Sequence, residues 1–276
     1  MLKQRIITAL ILAPLVVWAL FGLPDEQLLW LFMAVLLAGS WEWAALAGLH
    51  SPYKKILFVI SNGVMFVAAK YYLSDSVNVM IVLLSSTVLL WFLIIFWLAL
   101  YDKEIIVVKF SRLSRILIGI LLLTCTFISV GFLTLKFEHD RILILLMFLL
   151  IWGADVAAYF SGRKFGKNKL APNISPGKTW EGVVGALVSS ITISVIYANV
   201  MGYQFLIIIK LLVLSLVVVA VSIAGDLFES VMKRQAGLKD SGNILPGHGG
   251  VLDRIDSLIA ASPVFVLGMY LLGLQE

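Results

Sequence analysis

Nine apolar runs, most of them close to twenty residues long, occupy most of this chain. A helix needs about 20 mostly apolar residues to cross about 30 Å of hydrocarbon. Backbone placed in lipid must also satisfy its own hydrogen bonds, which leaves helices or closed barrels. These runs are long, continuous and rich in Leu, and that favours helices over the short alternating segments of a barrel. They cover roughly Arg5–Phe21, Leu28–Leu49, Ile56–Leu73, Val77–Leu100, Ile116–Leu135, Ile142–Phe160, Gly182–Met201, Phe205–Gly225 and Ser257–Leu274. The expected fold class is all-α, a polytopic membrane protein of about nine transmembrane helices. Of the 276 residues 61% are hydrophobic and 13% charged, against about 25% charged in soluble domains.

The start, "MLKQRIITALILAPLVVWALFG", has a basic end and an apolar body like a signal peptide. "LPDEQLLWLF" follows without a small-residue cleavage site, and further runs come directly after it, so the segment reads as a retained first helix that Pro14 would kink. A single cysteine, Cys125, excludes an internal disulfide and a cysteine metal cluster.

Basic residues orient the spans. With the N-terminus in the cytoplasm, seventeen of the twenty-one Lys and Arg fall on the cytoplasmic side, and only Lys70, Lys136, Arg141 and Lys210 on the other. The C-terminus then lies opposite the N-terminus. Topology and attraction to anionic membrane lipids account for the net charge of +5, so no nucleic-acid partner is expected. Residues 1–135 read as five N-terminal membrane helices. Residues 136–276 read as a catalytic membrane region with two cytoplasmic polar loops, 161–181 and 226–256. The stretch "YDKEIIVVKFSRLSRI" between the fourth and fifth spans reads as an amphipathic surface segment.

The second loop concentrates the chemistry. Asp226 stands where the eighth run ends, and Asp253 and Asp256 open the ninth helix with an i,i+3 spacing that puts both on one face. Carboxylates gathered at a membrane interface repel one another, and a hard divalent cation, magnesium above all, relieves that when substrate phosphates share it. Lys233, Arg234, Lys239 and Arg254 suit phosphate oxygens. "PGHGG", with His248, Gly249 and Gly250, lets the backbone turn sharply and present N–H groups to an anion. Metal, phosphate and cationic side chains together point to phosphoryl or nucleotidyl transfer. Structural roles compete: the aspartates as helix caps paired with Lys233 or Arg254, the Lys233–Arg234 pair as a solvated topology signal, and His248 as an ordinary loop histidine.

In the first loop, Asp155 lies about one turn from the cytoplasmic end of the sixth run, on the face of Trp152 and Tyr159. An acidic group there needs a partner or a role, and an ion pair with a loop lysine is the structural alternative. "SPGKTWEG" contains "GKT", but a phosphate-binding P-loop needs Gly where this chain has Pro172, and no strand is expected before it. The expectation is a loop opening into the seventh helix, with Ser175 as cap and Glu181 in the first turns. Lys178 and Thr179 then sit at a helix N-terminus, where anions bind.

"SVMKRQAGLKDSGNILPGHGGVLDRID", Ser230 to Asp256, resembles the diagnostic motif of the phosphatidate cytidylyltransferase family, the CDP-diacylglycerol synthases. The matching positions are Ser230, Lys233, Arg234, Lys239, Asp240, Pro246, His248, Gly249, Gly250, Asp253, Arg254 and Asp256. "SPGKTWEG" and "WGADVAAYFSGRKFGK" look like further segments of that family. The resemblance is specific over about 152–257; the first five helices match in hydropathy alone. It implies synthesis of CDP-diacylglycerol and pyrophosphate from CTP and phosphatidate, with a divalent cation, at the cytoplasmic face of the inner membrane. It also implies Asp226 and Asp253 as metal ligands, with Asp256 close by. Lys233 and Arg254 join Asp226 and Asp253 as candidate catalytic groups. Ser175, Lys178, Thr179, Glu181, Arg234, Lys239, Asp240, His248, Gly249, Gly250 and Asp155 are candidate substrate contacts. A second metal ion and a homodimer stay open.

Rival readings are a CTP-dependent lipid or polyprenol kinase, which would release CDP, and a secondary transporter. The transporter wants paired repeats and mid-membrane polar groups, whereas here the polar residues gather at one face. A CDP-alcohol phosphatidyltransferase should carry D-G-x-x-A-R and G-x-x-x-D-x-x-x-D, which this chain lacks.

Overall fold

A computed structural model describes residues 13–75, 77–106, 108–137, 139–242 and 249–273. Most of the N-terminal basic segment, Leu274, Pro246 and His248 lie outside the described residues. Nine helices are present among the described residues: α1 (Ala13–Gly22), α2 (Asp25–Leu46), α3 (Pro52–Asp75), α4 (Val77–Asp102), α5 (Arg112–Lys136), α6 (Asp140–Phe165), α7 (Trp180–Val200), α8 (Phe205–Gln235) and α9 (Leu252–Leu271). All but α1 and α3 are long and apolar enough to cross a membrane. The chain is an integral membrane protein of packed helices. The described part of α1 is short, and α3 carries Lys54, Lys55 and Lys70.

Burial follows the logic of a bundle in lipid. Trp43, Trp91, Phe127, Phe132 and Phe228 are fully buried, while Val82, Leu89 and Phe96 of α4 and Val184 and Val188 of α7 face outward. Small polar side chains turn inward and bond within the protein. Thr126 and Ser129 donate to the carbonyls of Leu122 and Cys125 one turn back. Ser194 and Ser215 join α7 to α8 at 2.6 Å. Glycines let α6 and α7 approach closely: a Cβ on Gly182 would stand 3.1 Å from the Ala158 carbonyl oxygen, and one on Gly185 would overlap Ser161.

Two departures from the all-α expectation matter for the site. Residues expected as a loop form an antiparallel hairpin, β1 (Lys169–Ala171) and β2 (Ser175–Thr179). Its tight turn places Pro172, whose fixed φ suits such a position, before Asn173. Asn173 hooks onto the end of α4, with its N–H on Asp102 Oδ1 at 2.9 Å and its side-chain amide on the Asp102 carbonyl at 2.7 Å. Ser175 therefore lies in a strand. The cap of α7 is Thr179, whose Oγ1 accepts the Gly182 N–H at 3.1 Å.

The second departure is length. α6 runs five residues beyond Phe160, and α8 runs ten beyond Gly225. The polar extension of α8 is amphipathic. Leu227, Phe228, Val231 and Met232 are buried, and Glu229 and Lys233 pair at i,i+4. Much of the expected second loop is thus helix.

Contacts between helix ends place both polar segments on one face. Gln235 at the end of α8 bonds the Phe110 N–H and the Val108 carbonyl before α5. Arg115 of α5 donates to the Leu46 carbonyl at the end of α2. At the opposite end, Arg141 meets Asp25 and Lys210 donates to the Leu272 carbonyl.

Candidate active site

At the first of these faces, α6, the hairpin, α7 and α8 enclose a cavity of about 430 Å³. Asp155, Tyr159 and Arg163 line it from α6, Lys178 and Thr179 from β2, and Asp226 from α8. The two longer-than-expected helices are what create it. Asp155 is ten residues from the end of α6 and Asp226 nine from the end of α8, so each carboxyl sits roughly 14 Å below its helix tip. Lys178 reaches down from the hairpin and pairs with Asp226 at 2.8 Å; its ammonium also donates to the Ile223 carbonyl at 3.4 Å. Asp155 lies within electrostatic reach of Asp226, Lys178 and Arg254. Arg163 donates to the Tyr159 hydroxyl at 3.0 Å on the cavity wall.

A second polar cluster adjoins the first, between α8 and α9. Asp226, Glu229 and Lys233 follow one face of α8 at i, i+3 and i+7. Lys233 Nζ donates to Glu229 Oε2 at 3.1 Å and to Asp253 Oδ1 at 2.7 Å. The other Asp253 oxygen accepts the N–H groups of Gly250 at 2.8 Å and Ser241 at 3.1 Å. Asp256, one turn further along α9, lies within electrostatic reach of Glu229 and Asp226. The Ser257 N–H donates to its Oδ1 at 2.6 Å. Gly249 adopts φ +79°, which permits the turn that delivers the Gly250 N–H to Asp253.

The polar groups form one continuous run: Asp155, Lys178 and Asp226 at the cavity, then Asp256, Glu229, Lys233 and Asp253 between the last two helices. Carboxyls outnumber the ammonium and guanidinium groups within it, and Glu229 Oε1, in a side chain only 3% exposed, has no hydrogen-bond partner. Oxygen donors in excess of positive charge suit a hard cation. Among the described residues no three His, Cys, Asp or Glu side chains converge as a ready ligand shell.

A model described as the cytidylyltransferase family matches residues 3–272. The chain belongs to the cytidylyltransferase family. A phosphatidate cytidylyltransferase of Pseudomonas aeruginosa is 42% identical over 274 residues, spanning 99% of this chain and 98% of that one. One from Haemophilus influenzae is 37% identical over 290 residues, spanning 96% and 97%. One from Rickettsia typhi is 35% identical over 205 residues, spanning 70% and 90%. The family match extends through the N-terminal helices, where the sequence offered hydropathy alone.

Of the residues singled out in this cytidylyltransferase sequence, Asp155, Lys178, Thr179, Asp226, Lys233, Asp253, Arg254 and Asp256 belong to the run or the cavity beside it. Glu181 is turned to the hairpin, where its carboxyl accepts the Asn168 N–H at 3.2 Å and side-chain amide at 2.9 Å. Arg234, Lys239 and Asp240 are exposed beside the run, while Ser175 is partly buried in β2. Glu229, Ser241, Tyr159 and Arg163 enter the site without having been assigned a role. Glu229 carried a readable signal, an acidic residue three after Asp226 and four before Lys233.

Proposed function

We infer that this cytidylyltransferase transfers the cytidylyl group of CTP to phosphatidate, giving CDP-diacylglycerol and pyrophosphate. The observation carrying this reading is the meeting of Lys178, Asp155 and Asp226, from three separate segments, around a cavity large enough for phosphate groups at the end of a membrane bundle. The full-length likeness to phosphatidate cytidylyltransferases supports the choice of substrates.

In the proposed reaction a phosphate oxygen of phosphatidate attacks the α-phosphorus of CTP. The bond from that phosphorus to the β-phosphate oxygen breaks, and pyrophosphate leaves with its electron pair. The nucleophile is already an anion, so no general base is needed. The protein's work is to bring two anions together and screen their repulsion. Lys178, Lys233 and Arg254, with Arg234 at the rim, supply positive charge. Gly249 and Gly250 give the backbone close access. Thr179 fixes the start of α7, and Glu181 fixes the hairpin that carries Lys178.

Magnesium belongs to the same proposal. Asp226, Asp253 and Asp256 would hold it, with the unpartnered Glu229 oxygen alongside. When bound, the ion neutralises phosphate oxygens that the lysines do not reach. The topology belongs here too: nine crossings, N-terminus in the cytoplasm, C-terminus opposite, and the cavity open to the cytoplasm. Its support is the charge asymmetry, since the connections nearest the cavity hold most of the Lys and Arg.

The test is purified protein in detergent with phosphatidate, CTP and magnesium, following pyrophosphate and lipid product together, with ATP and a metal chelator in parallel tubes. Pyrophosphate and CDP-lipid from CTP alone, abolished by the chelator, is the expected result. CDP with a phosphorylated lipid would replace the reading by the kinase, and full activity in chelator would remove the metal.

A further inference from the structure

We propose that Glu42 is a positioning residue: from α2 it holds the start of α9, which carries Asp253, in its working register. Glu42 stands in "GSWEWAAL", an acidic group inside an apolar helix, and is 3% exposed. Its Oε2 accepts the Leu252 N–H at 2.7 Å and the Ser241 hydroxyl at 3.2 Å, across 210 and 199 residues. The start of α9 is a favourable place for an acidic side chain. The fit around it is built. A Cβ on Gly242 or on Gly250 would overlap the Glu42 carboxyl, so the loop closes on this side chain through two glycines.

The connection reaches Asp253 through one hydroxyl. Ser241 and Asp253 are reciprocally bonded: the Ser241 N–H donates to Asp253 Oδ2 at 3.1 Å, and the Asp253 N–H donates to Ser241 Oγ at 3.3 Å. A serine hydroxyl has one proton to give. By taking it, Glu42 leaves the oxygen's lone pairs for the Asp253 N–H. Without Glu42 the hydroxyl is free to turn toward Asp253, and the Leu252 N–H is buried without a partner. Either change shifts the carboxyl that aligns Lys233. A displacement of about 1 Å at a positioned group can cost about 100-fold in rate.

The inference rests on Asp253 belonging to the transfer site, and its test separates the two. Glu42→Ala, Glu42→Gln, Ser241→Ala and the Glu42→Ala/Ser241→Ala pair are made in the full chain. CDP-lipid formation and trypsin cleavage after Lys239 are measured in the same detergent samples. Glu42→Ala is expected to lower kcat about 100-fold while KM for CTP moves less than about threefold. Glu42→Gln, which keeps a carbonyl acceptor, should recover to within about tenfold of wild type, and the double variant should be no worse than Glu42→Ala. Cleavage at Lys239 should be at least tenfold faster in Glu42→Ala and unchanged in Glu42→Gln. A Glu42→Ala kcat within threefold of wild type, or losses that multiply in the double variant, would overturn the proposal. If wild type makes no CDP-lipid, the functional reading fails and cleavage alone decides: equal rates in all variants overturn the tether. If Glu42→Ala does not reach the membrane, Glu42→Gln and Ser241→Ala decide. A Glu42→Gln kcat down as far as 100-fold, or a Ser241→Ala kcat at the wild-type value, would overturn it.

Discussion

Asp253 and Lys178 lie in the two parts of the polar run, and each has a distinct expected failure. Asp253 accepts from Lys233 and from two backbone N–H groups. Asp253→Asn keeps the size but loses the charge opposite Lys233, at a stability cost of about 1–3 kcal/mol. The protein should still assemble in the membrane and melt cooperatively while CDP-lipid formation falls below detection; near-normal turnover would take Asp253 out of the site. Lys178 enters the cavity as a point charge. Lys178→Ala should raise KM for CTP by roughly 10- to 100-fold, the size of one charge-assisted hydrogen bond, and an unchanged KM would demote the hairpin to scaffold. Both residues were legible in the sequence because their chemistry is local: aspartates at i,i+3, and a lysine before a helix. Glu42 was legible only as an anomaly, an acidic group in an apolar run. Its partners lie about two hundred residues away, a distance no spacing rule spans.

At the level of elements, hydropathy found every helix among the described residues but misjudged where two of them stop. An apolar run ends where composition changes, whereas a helix ends where its hydrogen bonding and packing fail. In α8 composition changes at Asp226, yet buried Phe228, Val231 and Met232 and the Glu229–Lys233 pair carry the helix to Gln235. Those extra turns moved Asp226 from a helix end into a cavity wall. The hairpin was missed for a related reason. Its strands are three and five residues long, too short for alternation to show, and they are held by each other and by Asp102. The α6–α7 contact sets the cavity's width and offers a test. Gly185→Leu must push aside Ser161 and the Ala157 carbonyl, 3.0 Å from a Cβ there. Overpacking of this kind costs about 1–3 kcal/mol. The melting temperature in detergent and the CTP-dependent rate should fall together; a variant that melts like wild type would mean the two helices are not tightly joined.

Taken whole, the molecule is packed around α8 and α9, which between them meet α2, α4, α5, α6 and α7. Its orientation is open to direct chemical reading because Cys125 is buried at 1% exposure. Lys103→Cys and Lys136→Cys, on opposite faces, serve as reporters in intact cells treated with a membrane-impermeant maleimide. Labelling of the second alone is expected, and labelling of the first alone would invert the topology and move the cavity out of the cytoplasm.

The 31 residues of α8 also make it a ruler. From Phe205 to Asp226 the rise is about 31 Å, close to the thickness of bilayer hydrocarbon. If Phe205 marks one boundary of the oil, Asp226 falls at the other, just beneath the phosphates of that leaflet. The enzyme would then read chain length indirectly, through the thickness of the bilayer as a whole as well as through any pocket for the tails. A thicker membrane lifts the lipid phosphate above Asp226 and sinks the site in hydrocarbon, and a thinner one drops the phosphate below Asp226 and leaves the site in water, unless the bundle tilts to compensate. Turnover in vesicles of graded acyl length, with one fixed phosphatidate as substrate, should pass through a maximum. A flat response would mean that the bundle, not the bilayer, sets the depth at which the two substrates meet.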